Sequence, residues 1–150
     1  MNTEQLIRMH EGERRLAYDD ANGQTLTPGT WLLGNATIGV GRNLVGKGLS
    51  TDEMDYLLHN DIAEIQSFLS NYPWYSKLDP VRQAALTDLA FNTGRHGFSG
   101  YARMIAVLST GDYGAVAGEL LKSKGAEQLP KRYGCLADML KTGQWPTDAP

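Results

Sequence analysis

Carboxyl groups near the start of this chain are the residues whose types and spacing could do chemistry. Glu11 closes a short amphipathic stretch, and the pair Asp19-Asp20 follows it. Enzymes that cleave glycosidic bonds use two carboxyl groups, one protonated and one ionised. The chain holds 17 acidic residues, however, and a helix-end Glu with an Asp in a turn is also typical of a solvated surface. On spacing alone, the choice between Asp19 and Asp20 stays open.

The elements that must position these carboxyl groups are a helix, a small sheet and a further set of helices. Residues 3–11 predict a short helix with one apolar side and Thr3 as its N-cap. Residues 16–44 combine glycine and proline with short β-prone runs, a pattern typical of hairpins and turns. This order of elements predicts an α+β protein that is mostly helical.

Local signals mark where the later helices begin. Ser50 and Glu53 form a predicted capping box at the start of a long helix. Asp79 and Pro80 predict the N-cap and first residue of the next one. Further helical stretches are predicted over about 100–109, 112–123 and 130–141. The long helix can join two lobes, and a cleft between lobes is a common place for an active site.

Several separate blocks of sequence resemble one known family. Residues 11–20, EGERRLAYDD, resemble its opening, which has the form EG-x-R-L-x-x-Y-x-D, and residues 37–41 resemble its TIG-x-G strand and turn. Further matching blocks lie at residues 82–86, 90–94, 97–101, 128–132 and 142–145. In this order, and over almost the whole chain, they resemble the phage-type lysozymes of glycoside hydrolase family 24.

The resemblance implies a role for particular residues. Glu11 would be the general acid, and the ungapped match picks Asp20 over Asp19 as the carboxylate that holds the attacking water. Thr37 would be the third active-site residue, and Arg132 the basic partner of Glu11. The residues that would line the cleft near bound sugar are Phe91, Asn92 and Gly94, although Phe91 would be a core residue by default.

The resemblance also implies a lysozyme-like fold. A small antiparallel β-sheet lobe is expected over roughly 13–50, and a linking helix over roughly 51–70. A helical lobe is expected over roughly 71–146, together with the N-terminal helix 3–11. All 150 residues would form this single lysozyme domain.

The implied activity is hydrolysis of bacterial peptidoglycan at the β-1,4 bond between N-acetylmuramic acid and N-acetylglucosamine, with inversion. The implied role is a phage endolysin that is made in the host cytoplasm and reaches the cell wall through a holin. A virion-associated lysozyme, a lytic transglycosylase and a non-catalytic wall-binding module are the alternatives. Asp20 argues against the transglycosylase, and the intact set of Glu11, Asp20 and Thr37 argues against the silent module.

Composition argues against several other classes of protein. The formal net charge is -3, whereas nucleic-acid binders usually carry a basic excess. The three histidines show no metal-ligand spacing, and we expect neither a metal nor another cofactor. The first residues have no secretory signal pattern, and no apolar run reaches the length of a membrane span. We therefore expect no stable membrane association. We also expect a monomer.

The sequence departs from the family pattern at a few places. Residues 21–36 form a longer excursion than is usual, and its Trp31 is expected either to pack the loop or to stack on sugar. Arg42 replaces a family histidine, and we expect it to pair with Asp61. Gly125 stands where a relative has a bulky aromatic side chain. None of these departures touches Glu11 or Asp20.

Overall fold

The computed structural model describes residues 2–147, and the chain divides into two compact units, Met1–Tyr56 and Leu57–Pro150. In the first unit, a helix accompanies a three-stranded antiparallel sheet. The described part of the second unit is built from helices. The predicted α+β class with a small antiparallel sheet is therefore confirmed.

The first helix, α1, spans Thr3–Glu11, as the sequence predicted. Its N-cap is Asn2 and not Thr3, because the Asn2 side chain accepts from the amide of Gln5 at 2.9 Å. The Gln5 side chain accepts from the Asn2 amide at 2.9 Å, which completes a capping box. The correction is a shift of one residue. Gly12 then ends the helix by donating its N–H to Arg8 O at 2.9 Å.

The sheet has the order β1 (Arg14–Asp19), β2 (Ala36–Gly39) and β3 (Arg42–Asn43). Its register pairs Tyr18 with Thr37, and Thr37 with Asn43. The long excursion therefore leaves the sheet at the end of β1 and returns to it at the start of β2.

Arg14 ties the beginning of the excursion to β1. Its guanidinium donates to Gly23 O at 2.6 Å and to the Thr25 hydroxyl at 3.2 Å. The same group lies 4.3 Å from the centre of the Tyr18 ring. A side chain within the strand thus closes the first turn of the loop.

Helix α2 spans Thr51–Leu69, and the division between the two units falls within it. The Ser50 amide donates to Glu53 Oε2 at 2.8 Å, and the Glu53 amide donates to Ser50 Oγ at 3.3 Å. The predicted capping box is therefore confirmed.

The second unit continues with helices whose caps are mostly local. Asp79 caps α3 by accepting from the amides of Val81 and Arg82, as predicted. The helix predicted over about 112–123 is present as Tyr113–Leu121. A short helix that was not predicted follows it, because Ser123 caps Lys124–Gln128 by accepting from the amide of Ala126. After α2 the helices are α3 (Pro80–Ser99), α4 (Ala102–Leu108), α5 (Tyr113–Leu121), α6 (Lys124–Gln128) and α7 (Pro130–Thr142).

An apolar core runs through the second unit, and Tyr133 is one of its largest fully buried side chains. The Tyr133 hydroxyl lies 2.8 Å from that of Tyr101. A Cβ at Gly125 would lie only 2.2 Å from the Tyr133 hydroxyl oxygen. In this chain Tyr133 therefore occupies the space beside Gly125.

Candidate active site

Glu11 is the last residue of α1, and its exposed carboxyl group lies against the turn between β2 and β3. A Cβ added at Gly41 in that turn would lie 2.8 Å from Glu11 Oε2. Gly41 also has a φ of 67°, which L side chains rarely adopt. The backbone conformation favours glycine at position 41, and the missing side chain leaves room for the Glu11 carboxyl group. The end of α1 and the turn between β2 and β3 therefore lie close together at this carboxyl group.

Asp20 follows β1 and is exposed, but a single residue holds its carboxylate. The main-chain N–H of Asn35 donates to Asp20 Oδ1 at 2.7 Å, and the Asn35 side-chain amide donates to Oδ2 at 3.1 Å. The Asp20 amide in turn donates to Asn35 O at 3.1 Å. Asp20 is therefore fixed by the end of the excursion, although 15 positions separate the two residues.

Thr37 lies in β2 and is only 4% exposed. Its hydroxyl donates to Asn35 O at 3.3 Å. Because that bond uses its only proton, the hydroxyl oxygen remains as an acceptor. Asp20 and Thr37, which the sequence predicted as site residues, are thus both bonded to Asn35. Both lie in the same compact unit as Glu11.

Asp19, the carboxyl that the resemblance passed over, is 1% exposed. It accepts from the amide of Ala21 at 2.9 Å, from that of Leu33 at 2.6 Å and from that of Gly34 at 3.0 Å. The bond from Leu33, followed by the others, holds the pKa of Asp19 below its ordinary value. Burial of the carboxylate acts in the opposite direction and raises this pKa. Asp19 therefore fastens the two ends of the excursion as an ionised group.

Sequence reasoning missed Asn35 as part of the site. The only signal was its place, directly after Gly34 and just before the block that contains Thr37. A glycine and an asparagine ahead of a strand indicate a turn, but not which carboxylate the turn will meet.

The comparison with protein families supplies a further observation. A family model described as phage lysozyme matches residues 8–134, a range that contains Glu11, Asp20, Thr37 and Arg132. The chain belongs to the phage lysozyme family. It is therefore a lysozyme, a glycosidase that acts on peptidoglycan.

In the second unit of this phage lysozyme, Arg132 forms an ion pair with Asp88. Its Nε lies 2.9 Å from Asp88 Oδ1, and its Nη2 donates to Asp88 O at 3.4 Å. Glu11 belongs to the first unit, so its pairing with Arg132 stays a prediction. Arg132, Asp88 and Phe91 line a cavity of about 430 Å³.

The other predicted cleft residues of the lysozyme belong to α3. Phe91 is 44% exposed and is therefore not a buried core side chain. It lines a second cavity, of about 320 Å³, together with Gly94. Gly94 has a φ of 70° and interrupts the helical backbone there, which accounts for a glycine at this position. Asn92 is exposed beside Phe91 in the same helix.

Arg42 pairs with Glu53, for which only a role in the cap of a helix was predicted. Its guanidinium donates to Glu53 Oε1, while Glu53 Oε2 accepts from the Ser50 amide. Glu53 therefore links β3 to the start of α2. Asp61 lies in the second unit, and its predicted pairing with Arg42 stays a prediction.

Trp31 is 89% exposed, so of the two alternatives for its ring, packing the loop or stacking on sugar, the first is excluded. Hydrogen bonds shape the loop without its ring. Thr27 and Thr30 close a turn just before it, and Asp19 binds the amide of Leu33 just after it. The side chain of Trp31 is therefore left on the surface of the excursion.

The part of the chain that the structure describes contains neither a metal-binding cluster nor a membrane-spanning helix. Over residues 2–147, no group of three or more His, Cys, Asp or Glu side chains could hold a metal ion. Within the same range, no helix is both long enough and apolar enough to cross a membrane.

Proposed function

We propose that this lysozyme is a muramidase that hydrolyses the β-1,4 bond between N-acetylmuramic acid and N-acetylglucosamine with inversion. The observation that carries the proposal is the link of Asp20 and Thr37 through Asn35, in the same unit as Glu11. One carboxyl group would act as an acid and the other as a base, which is the requirement for glycoside hydrolysis.

Glu11 is the general acid in this mechanism. It gives its proton to the glycosidic oxygen as the bond to the anomeric carbon breaks. The leaving sugar departs with a free hydroxyl group, and positive charge develops on the remaining sugar ring. Glu11 must therefore begin the reaction protonated.

Asp20 and Thr37 handle the water that attacks the opposite face of that ring. The Asp20 carboxylate accepts one proton of the water, and the Thr37 oxygen accepts the other. Because the Thr37 proton is already donated to Asn35 O, the water must act as the donor to Thr37. Both of its protons are then engaged, and a lone pair is free to attack the anomeric carbon.

Residues of the second unit would supply contacts to the glycan strand. We propose that Phe91, Asn92 and Gly94 contact bound sugar, and that Arg132 is the basic partner of Glu11. The presence of Arg132 and Phe91 at one cavity supports their assignment to a common site.

The proposed biological role is that of a phage endolysin. Membership of the phage lysozyme family supports it. The enzyme would be made in the host cytoplasm, would reach the wall through a holin and would act there as a monomer.

Mass spectrometry of digested peptidoglycan tests the activity. Purified sacculi are incubated with the intact protein, and the released fragments are reduced before analysis. A muramidase gives reduced muramic acid ends, whereas a lytic transglycosylase gives anhydro ends. Anhydro ends, or no release above that of a Glu11→Gln control, would overturn the proposal.

Trp31 is proposed as an additional contact to the glycan, because its ring is exposed on an anchored loop. We expect Trp31→Ala to raise KM on soluble glycan strands about three- to tenfold, and to leave Tm unchanged. Leu33→Ala is the matched control, since Leu33 is also exposed and its anchoring bond is made by the main chain. Equal KM values for both variants would count against the contact.

A further inference from the structure

We propose that Asn35 is the positioning residue of this site, and that Asp19 holds the 33–35 segment in place for that purpose. The inference rests on the proposed roles of Asp20 and Thr37. Its basis is that one residue bonds to both: Asn35 donates twice to the Asp20 carboxylate and accepts from the Thr37 hydroxyl.

The two bonds to Asp20 fix the orientation of its carboxylate as well as its position. One donor is the Asn35 main chain at 2.7 Å and the other is its side chain at 3.1 Å, and each meets a different oxygen. A carboxylate held at both oxygens cannot turn about its last side-chain bond without losing a hydrogen bond. The direction in which it meets a water is thereby set before substrate binds.

The carbonyl of Asn35 sets the other half of the water site. It accepts from the Asp20 amide at 3.1 Å and from the Thr37 hydroxyl at 3.3 Å. The distance between the Asp20 carboxylate, at the end of β1, and the Thr37 hydroxyl, in β2, therefore depends on the position of the Asn35 carbonyl group.

Asp19 holds residues 33–35 in place through hydrogen bonds to the main chain. Its buried carboxylate binds the amides of Leu33 and Gly34, the two residues that precede Asn35. It also binds the amide of Ala21, the residue that follows Asp20. The residue after Asp20 and the two residues before Asn35 are thus all hydrogen-bonded to the ionised carboxylate of Asp19.

The fit at Gly34 indicates how closely the segment approaches Asp20. A Cβ at Gly34 would lie 2.2 Å from Asp20 Oδ1 and 3.0 Å from the Ala21 main-chain nitrogen. Any larger residue must displace the carboxylate or the backbone beside it. Asn35 can therefore bind the Asp20 carboxylate in this way only because residue 34 has no side chain.

Asn35→Ala tests the proposal, because it removes the side-chain donor and keeps the main-chain bonds. We expect kcat on soluble glycan strands to fall about ten- to a hundredfold, with KM and Tm unchanged. Asn35→Gln restores an amide donor on a longer arm and should recover part of kcat. Asn22→Ala is the matched control, since Asn22 also bonds within the excursion, to the Gln24 amide at 2.8 Å.

Gly34→Ala serves as the second variant if Asn35→Ala does not fold. It keeps Asn35 and moves the Asp20 carboxylate, so the same loss of kcat at constant KM is expected. A wild-type kcat in the variant that folds would overturn the proposal. So would a drop in kcat that the Asn22→Ala control shares. Wild-type enzyme that releases no muramic acid ends would instead refute the proposed function, which keeps the two failures separate.

Discussion

At the scale of single residues, Asp19 and Asp20 are neighbours with opposite surroundings. Asp19 is buried and accepts from three main-chain N–H groups, whereas Asp20 is exposed and accepts from the main chain and the side chain of Asn35. A buried carboxylate that is fully hydrogen-bonded stabilises a fold. An exposed carboxylate that is aligned but accessible can meet a water and a sugar. The same residue type therefore serves structure in one position and chemistry in the next.

The pKa of Asp19 leads to a prediction for stability against pH. Because the folded protein lowers this pKa, the ionised group stabilises the native state above the unfolded pKa of about 3.9. That stabilisation is lost as the pH falls through the lower, folded value. Asp19→Asn should thus be less stable than the wild type at pH 7, and the gap should shrink below about pH 4.

Urea unfolding of both proteins at pH 7, 5 and 3 measures this gap. The variant loses stability because its amide turns a donor toward the Leu33 N–H. The loss should be equal at pH 7 and at pH 5, because Asp19 of the wild type is ionised in both the folded and the unfolded state at both pH values. Equal stability of the two proteins at pH 7 would contradict the anchoring role. A gap that persists unchanged at pH 3 would do the same.

Glu11→Gln should keep the fold and lose nearly all activity. The amide cannot donate the proton, and general acid catalysis is typically worth about 10²–10⁴-fold. Hydrolysis of peptidoglycan and far-UV circular dichroism are the measurements. Glu13→Gln is the control, because Glu13 is a nearby exposed carboxylate that pairs with Arg8. A Glu11→Gln rate above about a tenth of wild type would refute the role of Glu11.

The site residues that could be predicted from the sequence are those that lie in motifs of the family. The resemblance proposed Glu11, Asp20 and Thr37 as individual positions. Asn35 carried no comparable signal, because most of its bonds are made by its main chain. Its contact with Asp20 also depends on the path of the whole excursion. A sequence without a structure does not say where such a loop returns.

At the scale of elements, helix starts were the most predictable feature. Ser50 and Asp79 were recognised as caps because the donor and acceptor lie within three residues of each other. The same locality explains the small errors. Asn2 competes with Thr3 as a cap one position away, and Ser123 caps a short helix over Lys124–Gln128 that was not predicted.

Gly125 yields a prediction whose sign is the reverse of the usual one for a helix. Glycine to alanine in a helix interior normally stabilises by up to about 1 kcal/mol. At position 125 the new Cβ would lie 2.2 Å from the buried Tyr133 hydroxyl, so we expect Gly125→Ala to destabilise by about 1–3 kcal/mol.

The control for this prediction is Gly134→Ala in α7. A Cβ at Gly134 meets no atom within 4 Å, so the ordinary gain in stability is expected there. Chemical denaturation of both variants gives the comparison. An equal gain in the free energy of unfolding for both variants would contradict the prediction, because it would show that Tyr133 moves aside at no cost.

At the scale of the whole molecule, the family and the fold class were accessible from sequence because their signals are spread along the chain. The matching blocks run from residue 11 to residue 145, and the family model covers residues 8–134. The exposure of Trp31 was not accessible. An aromatic ring in a long loop is usually buried, whereas here main-chain and threonine bonds shape the loop without it.

The central claim is that Asp20 directs a water to the face of the sugar opposite Glu11. That mechanism needs the two carboxyl groups about 6.5–9.5 Å apart, against about 5–5.5 Å for a retaining pair. Proton NMR of soluble glycan strands during the first minutes of digestion tests it most directly. The spectra are recorded before the new reducing end mutarotates, with Glu11→Gln as the blank. The account predicts that the first-formed N-acetylmuramic acid end is the α-anomer, and an initial β-anomer would contradict it.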